Sequence, residues 1–493
     1  MSNKSSNNFS RRKFGKTIGG AALASSALAA PAGPQSSDAS GSPRADFYQF
    51  PNRFLWGCAT AAYQVEGGAE AGGRGPSIWD TFSHIPGKVY HNQTGDVAND
   101  EYHLYKEDVQ LLKNLGAKIY RFSVSWSRVF PTGAGTPNAQ GIDYYSRLVD
   151  ELLANGIDPF CTLFHWDLPQ VLQDRFGGWQ SSQTSHAFAD YAGYVASKLS
   201  DRVHHFFTMN EFSSFIDIGY KEGRFAPGLK LPPAQLNQTR HNAVLAHGLA
   251  VQAIRAKAQP GTKVGIAENF LSGIPVIEME PHIKASAQAT RYMNAQYMTV
   301  IMEGKYMDEY LEAQGANAPK FTPEDLKAIG SPLDFVGINI YTPVYVRAAD
   351  NHLGFERVKN PSSYPHMASP WLDIGPEALY WGPRHVTQIW NAKEIYITEN
   401  GTSSADVLTP DGHVYDTDRV MFLRNYLISL HRAATEGFPV RGYFVWSLMD
   451  NFEWADGYNL RFGIYYVDFK TEKRYPKLSA MFYKEVIRRN AVV

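Results

Sequence analysis

Short, nearly continuous apolar runs recur along the chain, each rich in β-branched or aromatic residues. They are Phe54–Gln64, Ala117–Ser123, Asp158–His165, His205–Asn210, Lys263–Ala267, Leu333–Tyr341, Glu394–Glu399 and Arg441–Ser447. Stretches of helical periodicity lie between them, at Glu101–Leu115, Ile142–Asn155, Ser185–Leu199, Ala243–Gln259 and Asp416–Glu436. Runs that are apolar throughout belong to strands buried on both faces, and such strands alternating with amphipathic helices build a parallel sheet. Eight units of this kind predict an α/β protein made of a single (β/α)8 TIM barrel. That fold carries its active site at the C-terminal ends of the strands. A length of 493 residues fits two or three domains; the order of the elements argues for one.

Composition narrows the class. Lys and Arg total 47 against 48 Asp and Glu, a net charge of −1. A chain so balanced has no electrostatic footprint for nucleic acid. The two cysteines, Cys58 and Cys161, exclude a disulfide framework and a Cys-rich metal site. Both sit inside apolar runs and read as buried free thiols. Residues 1–32 form a separate segment. Arg11-Arg12-Lys13 precede an Ala-rich run from Thr17 to Ala30, and Ala27, Ala29 and Ala32 offer a small-residue cleavage site. The run is shorter than the roughly 20 apolar residues that cross a bilayer, so no membrane anchor is expected. The segment resembles a twin-arginine export signal, which implies a periplasmic protein, with secretion as the second destination. The same basic residues also suit a Sec-type signal. Residues 33–46 are rich in Pro, Ser, Gly and Asp and read as a disordered linker. The catalytic domain is expected over 47–493.

The strand ends carry the chemistry. The runs finish in Gln64, in Arg121, in His165-Trp166, in Asn210-Glu211, in Glu268-Asn269, in Asn339 and Tyr341, in Glu399-Asn400 and in Trp446. One polar residue at a strand end is a satisfied edge group; a whole ring of them is a site. Glu211 and Glu399 stand at the fourth and seventh strands, which face each other across a barrel's mouth. Alone, either Glu reads as a partner of Arg or as a helix cap. Together in an aromatic-lined pocket they are the minimal machinery of glycoside hydrolysis, one carboxyl protonated and the other ionised. An aromatic content of 13 % suits stacking on the apolar faces of sugars.

Four segments in register carry a resemblance. Phe54-Leu55-Trp56-Gly57-Cys58-Ala59-Thr60-Ala61-Ala62-Tyr63-Gln64-Val65-Glu66-Gly67-Gly68 resembles the N-terminal signature of glycoside hydrolase family 1, the β-glucosidase family. Thr208-Met209-Asn210-Glu211 resembles its acid/base motif and Ile397-Thr398-Glu399-Asn400-Gly401 its nucleophile motif. Trp446 to Trp454 resembles its sugar-binding segment. The resemblance implies that Glu211 is the acid/base and Glu399 the nucleophile, with Arg121 keeping Glu399 ionised and Tyr341 orienting it. It further implies that Asn210 binds the 2-hydroxyl, that Gln64, His165 and Glu453 read the outer hydroxyls, and that Trp446 is the stacking floor. Trp454 would contribute its indole N–H, and Asn339, Trp166 and Trp371 would support the site, Trp371 in the leaving-group platform. Phe212 replaces the proline usual after the acid/base, from which altered leaving-group contacts are expected; Thr402 replaces a residue that is usually apolar.

Three rivals remain to weigh. A non-catalytic sugar binder would lack one carboxylate, and both are present. A metal-dependent barrel hydrolase needs clustered ligands of the His-x-His kind, whereas His204 and His205 alternate faces of one strand. No metal and no cofactor are expected. A 6-phospho-glycosidase would place a small hydroxyl residue and a cation where this chain has Glu453-Trp454, and an anionic Glu453 repels a phosphate. The expected function is therefore a retaining exo-β-glycosidase acting on small carbohydrates, β-glucosides and cello-oligosaccharides.

Overall fold

Eight parallel strands pair in chain order and close on themselves: β1 (Leu55–Ala59), β2 (Ile119–Ser123), β3 (Asp158–Thr162), β4 (His205–Asn210), β5 (Lys263–Asn269), β6 (Phe335–Asn339), β7 (Ile395–Asn400) and β8 (Val440–Trp446). A helix follows each strand: α1 (Glu101–Leu115), α2 (Ala139–Ala154), α3 (Ser182–Leu199), α4 (Pro233–Lys257), α5 (Glu280–Met293), α6 (Ala378–Trp390), α7 (Thr417–Thr435) and α8 (Leu478–Arg489). This computed structural model describes residues 47–493; the expected signal and linker, 1–32 and 33–46, lie outside the described residues. The strands β2, β6 and β7 are buried at every position, which is why their runs read as apolar without alternation.

The boundaries moved where a strand hands over to its loop. The first run stops as strand at Ala59, and Gln64 lies in a helical turn, Ala62–Val65, instead of at a strand end. The fifth run extends to Asn269, bringing Glu268 into the ladder opposite Ile338. Helix α4 begins at Pro233, ten positions before the periodic stretch, because proline at a first helical position gives up no needed N–H. The sequence pattern missed three helices, α8 and α5 as well as α6. The latter holds Gly382-Pro383 in its interior, which reads as a breaker.

Rings fill the lower barrel. Phe160 stacks on His205 with centroids 4.2 Å apart and packs against Phe444 at 5.3 Å and Tyr396 at 5.4 Å. Phe335 joins Tyr396 at 5.6 Å and Phe207 at 5.0 Å. The upper edge of this plug meets the first polar layer, where the Arg121 guanidinium lies 5.2 Å over the Phe207 ring. Cys58 and Cys161 are buried free thiols.

The segment after β8 is fixed from beneath by charge. Lys477 is fully buried and donates to Asp406 and Asp450 at 2.6 Å each. Arg419 pairs with Asp406 and Asp416, and Arg461 with Asp450 at 2.6 Å. Asp450 also accepts the Gly463 N–H, so the network holds the turn that leads into Glu453 and Trp454. Removing one partner of such a buried cluster leaves uncompensated charge, at a cost of about 3–5 kcal/mol. Lys477→Met should therefore lower the thermal unfolding midpoint by several degrees, and calorimetry of the purified protein checks it.

Candidate active site

Glu211 immediately follows β4, at φ 51°, a left-handed conformation uncommon outside glycine. Two bonds hold it there. Its own N–H donates to the Ala267 carbonyl of β5 at 2.8 Å, and its carbonyl accepts the Ser214 N–H of the following wide-turned helix, Ser213–Glu222. Glu399 lies inside the β7 ladder, opposite Asn339 of β6, rather than after the strand. The close approach of β7 to β8 demands Gly401: a Cβ there would sit 1.8 Å from the Trp446 carbonyl oxygen.

One hydrogen-bonded cluster joins the two carboxyls. Arg121 is fully buried; its Nη1 donates to Glu399 Oε1 at 2.7 Å, its Nη2 to Asn210 Oδ1 at 2.5 Å and its Nε to Thr162 Oγ1 at 2.9 Å. Asn339 Nδ2 donates to Asn210 Oδ1 at 3.1 Å and to Glu211 Oε1 at 2.8 Å, while Thr398 Oγ1 donates to Asn339 Oδ1 at 2.6 Å. Tyr341 OH donates to Glu399 Oε2 and Ser214 Oγ to Glu211 Oε2, at 2.8 and 2.7 Å.

The two acids titrate differently. Burial and the charge of Glu399 push Glu211 up to about 7, against the pull of Ser214 and Asn339. Burial also raises Glu399, with Arg121 the largest opposing influence. The guanidinium restrains the carboxyl without cancelling the upward push, because desolvation outweighs one buried ion pair.

The histidine tautomer follows from the same cluster. Two donors fix Asn210 Oδ1, so its Nδ2 faces His165 Nε2 at 3.1 Å. That nitrogen must accept, which leaves the proton on Nδ1. Burial and Arg121 hold His165 well below its usual pKa, so the ring stays neutral. Neither His165 Nδ1 nor Gln64 Oε1 has a partner among the described residues. Gln64 Nε2 reaches Asn451 Oδ1, the Phe452 carbonyl and Glu453 Oε2, at 3.0, 2.9 and 3.3 Å. His165 stacks with Trp446 at 5.6 Å and Trp454 at 5.9 Å, and Trp166 packs on Trp454 at 4.4 Å while donating Nε1 to the Asn210 carbonyl. Trp371 is 52 % exposed and lies against Tyr341 and Phe462, with centroids 5.8 and 6.3 Å away.

The Phe212 side chain is fully buried, stacks on Tyr297 at 5.4 Å, and its N–H donates to Glu268 Oε2 at 2.9 Å. Glu453 is not an ordinary anion, since burial, Asp456 and the two site carboxylates push its pKa well up.

The profile of glycosyl hydrolase family 1 matches residues 47–492. The chain belongs to this family. It is a glycosyl hydrolase with the family's (β/α)8 barrel. A 1,4-beta-D-glucan glucohydrolase of Thermotoga neapolitana is 41 % identical over 449 residues, 90 % of this chain and 99 % of that protein. Beta-glucosidase 26 of Oryza sativa is 39 % identical over 89 % of this chain and 90 % of its own. The solved family 1 β-glucosidase from Thermotoga maritima superimposes with a TM-score of 0.83 at 39 % identity, covering 91 % of this chain and all of that one. The same enzyme has been solved with glucoimidazole; that structure matches at a TM-score of 0.82 and 40 % identity, covering 90 % of this chain and 100 % of its own.

Sequence reasoning missed Ser214, Thr162, Thr398 and the role of Glu268. Ser214 had a signal, since a residue three positions along a helix lies over the turn that holds Glu211. Thr162 and Thr398 reach the cluster across strands, which no local spacing encodes. Gly401→Ala should displace Glu399 against Trp446. Because a misplacement near 1 Å costs roughly 10²-fold, kcat/KM on an aryl glycoside should fall by about that factor in a variant whose circular dichroism is unchanged.

Proposed function

We propose that this family 1 enzyme is a retaining exo-β-glycosidase, a β-glucosidase releasing terminal non-reducing β-D-glucosyl residues. One observation carries the reading: two carboxyls share a cluster, yet one receives a guanidinium and a phenol while the other receives only neutral donors. Glu399, beside Arg121, attacks the anomeric carbon and forms a covalent glycosyl-enzyme. Glu211 gives its proton to the departing oxygen and then takes one from water, its affinity for the proton falling once the charge of Glu399 is consumed in the ester. Asn210 serves the 2-hydroxyl, where contacts strengthen in the transition state. Gln64, His165 and Glu453 bind outer hydroxyls, Trp446 forms the floor, Trp454 offers its indole N–H, Tyr341 orients Glu399, and Trp371 borders the aglycone. The glucohydrolase and β-glucosidase names of the relatives support glucosides and cello-oligosaccharides as substrates. Arg11 and Arg12 before the Ala-rich run support export to the periplasm.

Glu399→Ala should abolish hydrolysis, and azide should restore turnover with an α-glycosyl azide as product. Glu211→Ala with a good leaving group should give the β-azide instead. Exchanged anomers, read by NMR, would reverse the roles, and the same anomer from both variants would overturn the assignment. In wild type, Glu211 must be protonated to donate, so kcat/KM should fall as pH rises through about 7. On the acid side it should fall above the ordinary carboxylate range, because Glu399 must be ionised and burial raises it. Replacing Arg11 and Arg12 by Lys should leave the activity in the cytoplasmic fraction; unchanged export would rule out the twin-arginine route.

A further inference from the structure

A second buried carboxyl lies behind the acid/base, and the two-carboxylate reaction does not use it. Glu268, next to last in β5, is 2 % exposed. Its Oε2 accepts the Phe212 N–H at 2.9 Å, and the Ser213 N–H also acts on it. The neighbouring residue of the same strand, Ala267, accepts the Glu211 N–H through its carbonyl. Two consecutive amides, 211 and 212, are thus taken by two consecutive residues of β5. These amides open the Ser213–Glu222 helix, where N–H groups lack acceptors within the helix and negative charge is favoured. The turn they define holds Glu211 in the left-handed region, which the backbone of a non-glycine residue does not choose unaided.

Position 212 makes the contact possible. Proline, the residue usual there in the resemblance, has no N–H and would remove the amide that Glu268 accepts at 2.9 Å. An N–H at 212 and a carboxyl at 268 answer each other. We propose that Glu268 is a positioning residue for the acid/base: it anchors the turn at Glu211 by accepting the Phe212 amide. This rests on Glu211 being the acid/base.

Burial, Glu211 and Asp217 all disfavour the ionised form of Glu268, so its hold on the turn is a hydrogen bond and not a charge. Asp217 is itself paired with Arg240 and accepts from Tyr297 OH at 3.1 Å. His247, edge-on to Phe212, is neutral, burial pushing it down to about 3. On its far side Glu211 faces Glu399 and Arg121, whose influences oppose each other.

The test compares leaving groups. Glu268→Leu removes the acceptor, and kcat on a β-glucoside with a poor leaving group, which needs the proton of Glu211, should fall by about 10-fold or more, while a β-glucoside with a good leaving group is affected far less. Glu268→Gln, which keeps an oxygen for the Phe212 N–H, should recover most of the loss. Equal loss on both substrates, or no loss on either, overturns the proposal. Should Glu268→Leu fail to fold, Phe212→Pro removes the donor from the other side and should show the same dependence on the leaving group; its absence overturns the proposal equally. Azide rescue of Glu211→Ala separates the two levels. If it yields no β-azide, the role of Glu211 fails; if it does and the leaving-group dependence is absent, only the role of Glu268 fails.

Discussion

The buried guanidinium of Arg121 organises the site. A charge with no access to water must be met from all sides, and here a threonine hydroxyl, a carboxylate, a backbone carbonyl and an asparagine amide meet it. They come from β3, β7 and β4. Closing the barrel is what brings them to one point, and satisfying the cation is what fixes their rotamers. Asn210 is the clearest case. With its oxygen committed to Arg121 and Asn339, its nitrogen must turn to His165, and the protonation of that ring follows. One buried charge thus decides the orientation of two side chains and the tautomer of a third.

The cluster makes two chemically identical residues unequal. Both glutamates lose water, and both are pushed upward by that loss. They differ in what is returned to them: a cation and a phenol for Glu399, a hydroxyl and an amide for Glu211. The aromatic plug beneath matters as well. It supplies low-dielectric matter on the side where solvent would otherwise weaken every interaction in the layer above.

Much of this was legible in the sequence, for a physical reason. Parallel strands buried on both faces produce unbroken apolar runs, so their ends are visible, and barrel topology turns each end into a place at the mouth. Arg121, Asn210, Glu211, Asn339 and Glu399 were found that way. What stayed hidden depends on direction, not on position. Phe212 could be located but not aimed, and it points into a buried aromatic cluster. The net electrostatics of Glu399 and Glu453 could not be read either, because desolvation is a sum over a neighbourhood that no motif contains. Helix α6 was missed because Gly382-Pro383 breaks the pattern without breaking the helix.

The ring-filled lower barrel also dictates traffic. With Phe160, Phe207, Phe335, Tyr396 and Phe444 in mutual contact, the axis is closed and the pocket is a cul-de-sac. A molecule that enters sugar first must leave sugar last. With the roles proposed above, the group beyond the scissile bond departs on the Trp371 side, and the incoming water uses the doorway just vacated. Order of passage is therefore enforced by a dead end, with no moving part required to keep the sequence of events.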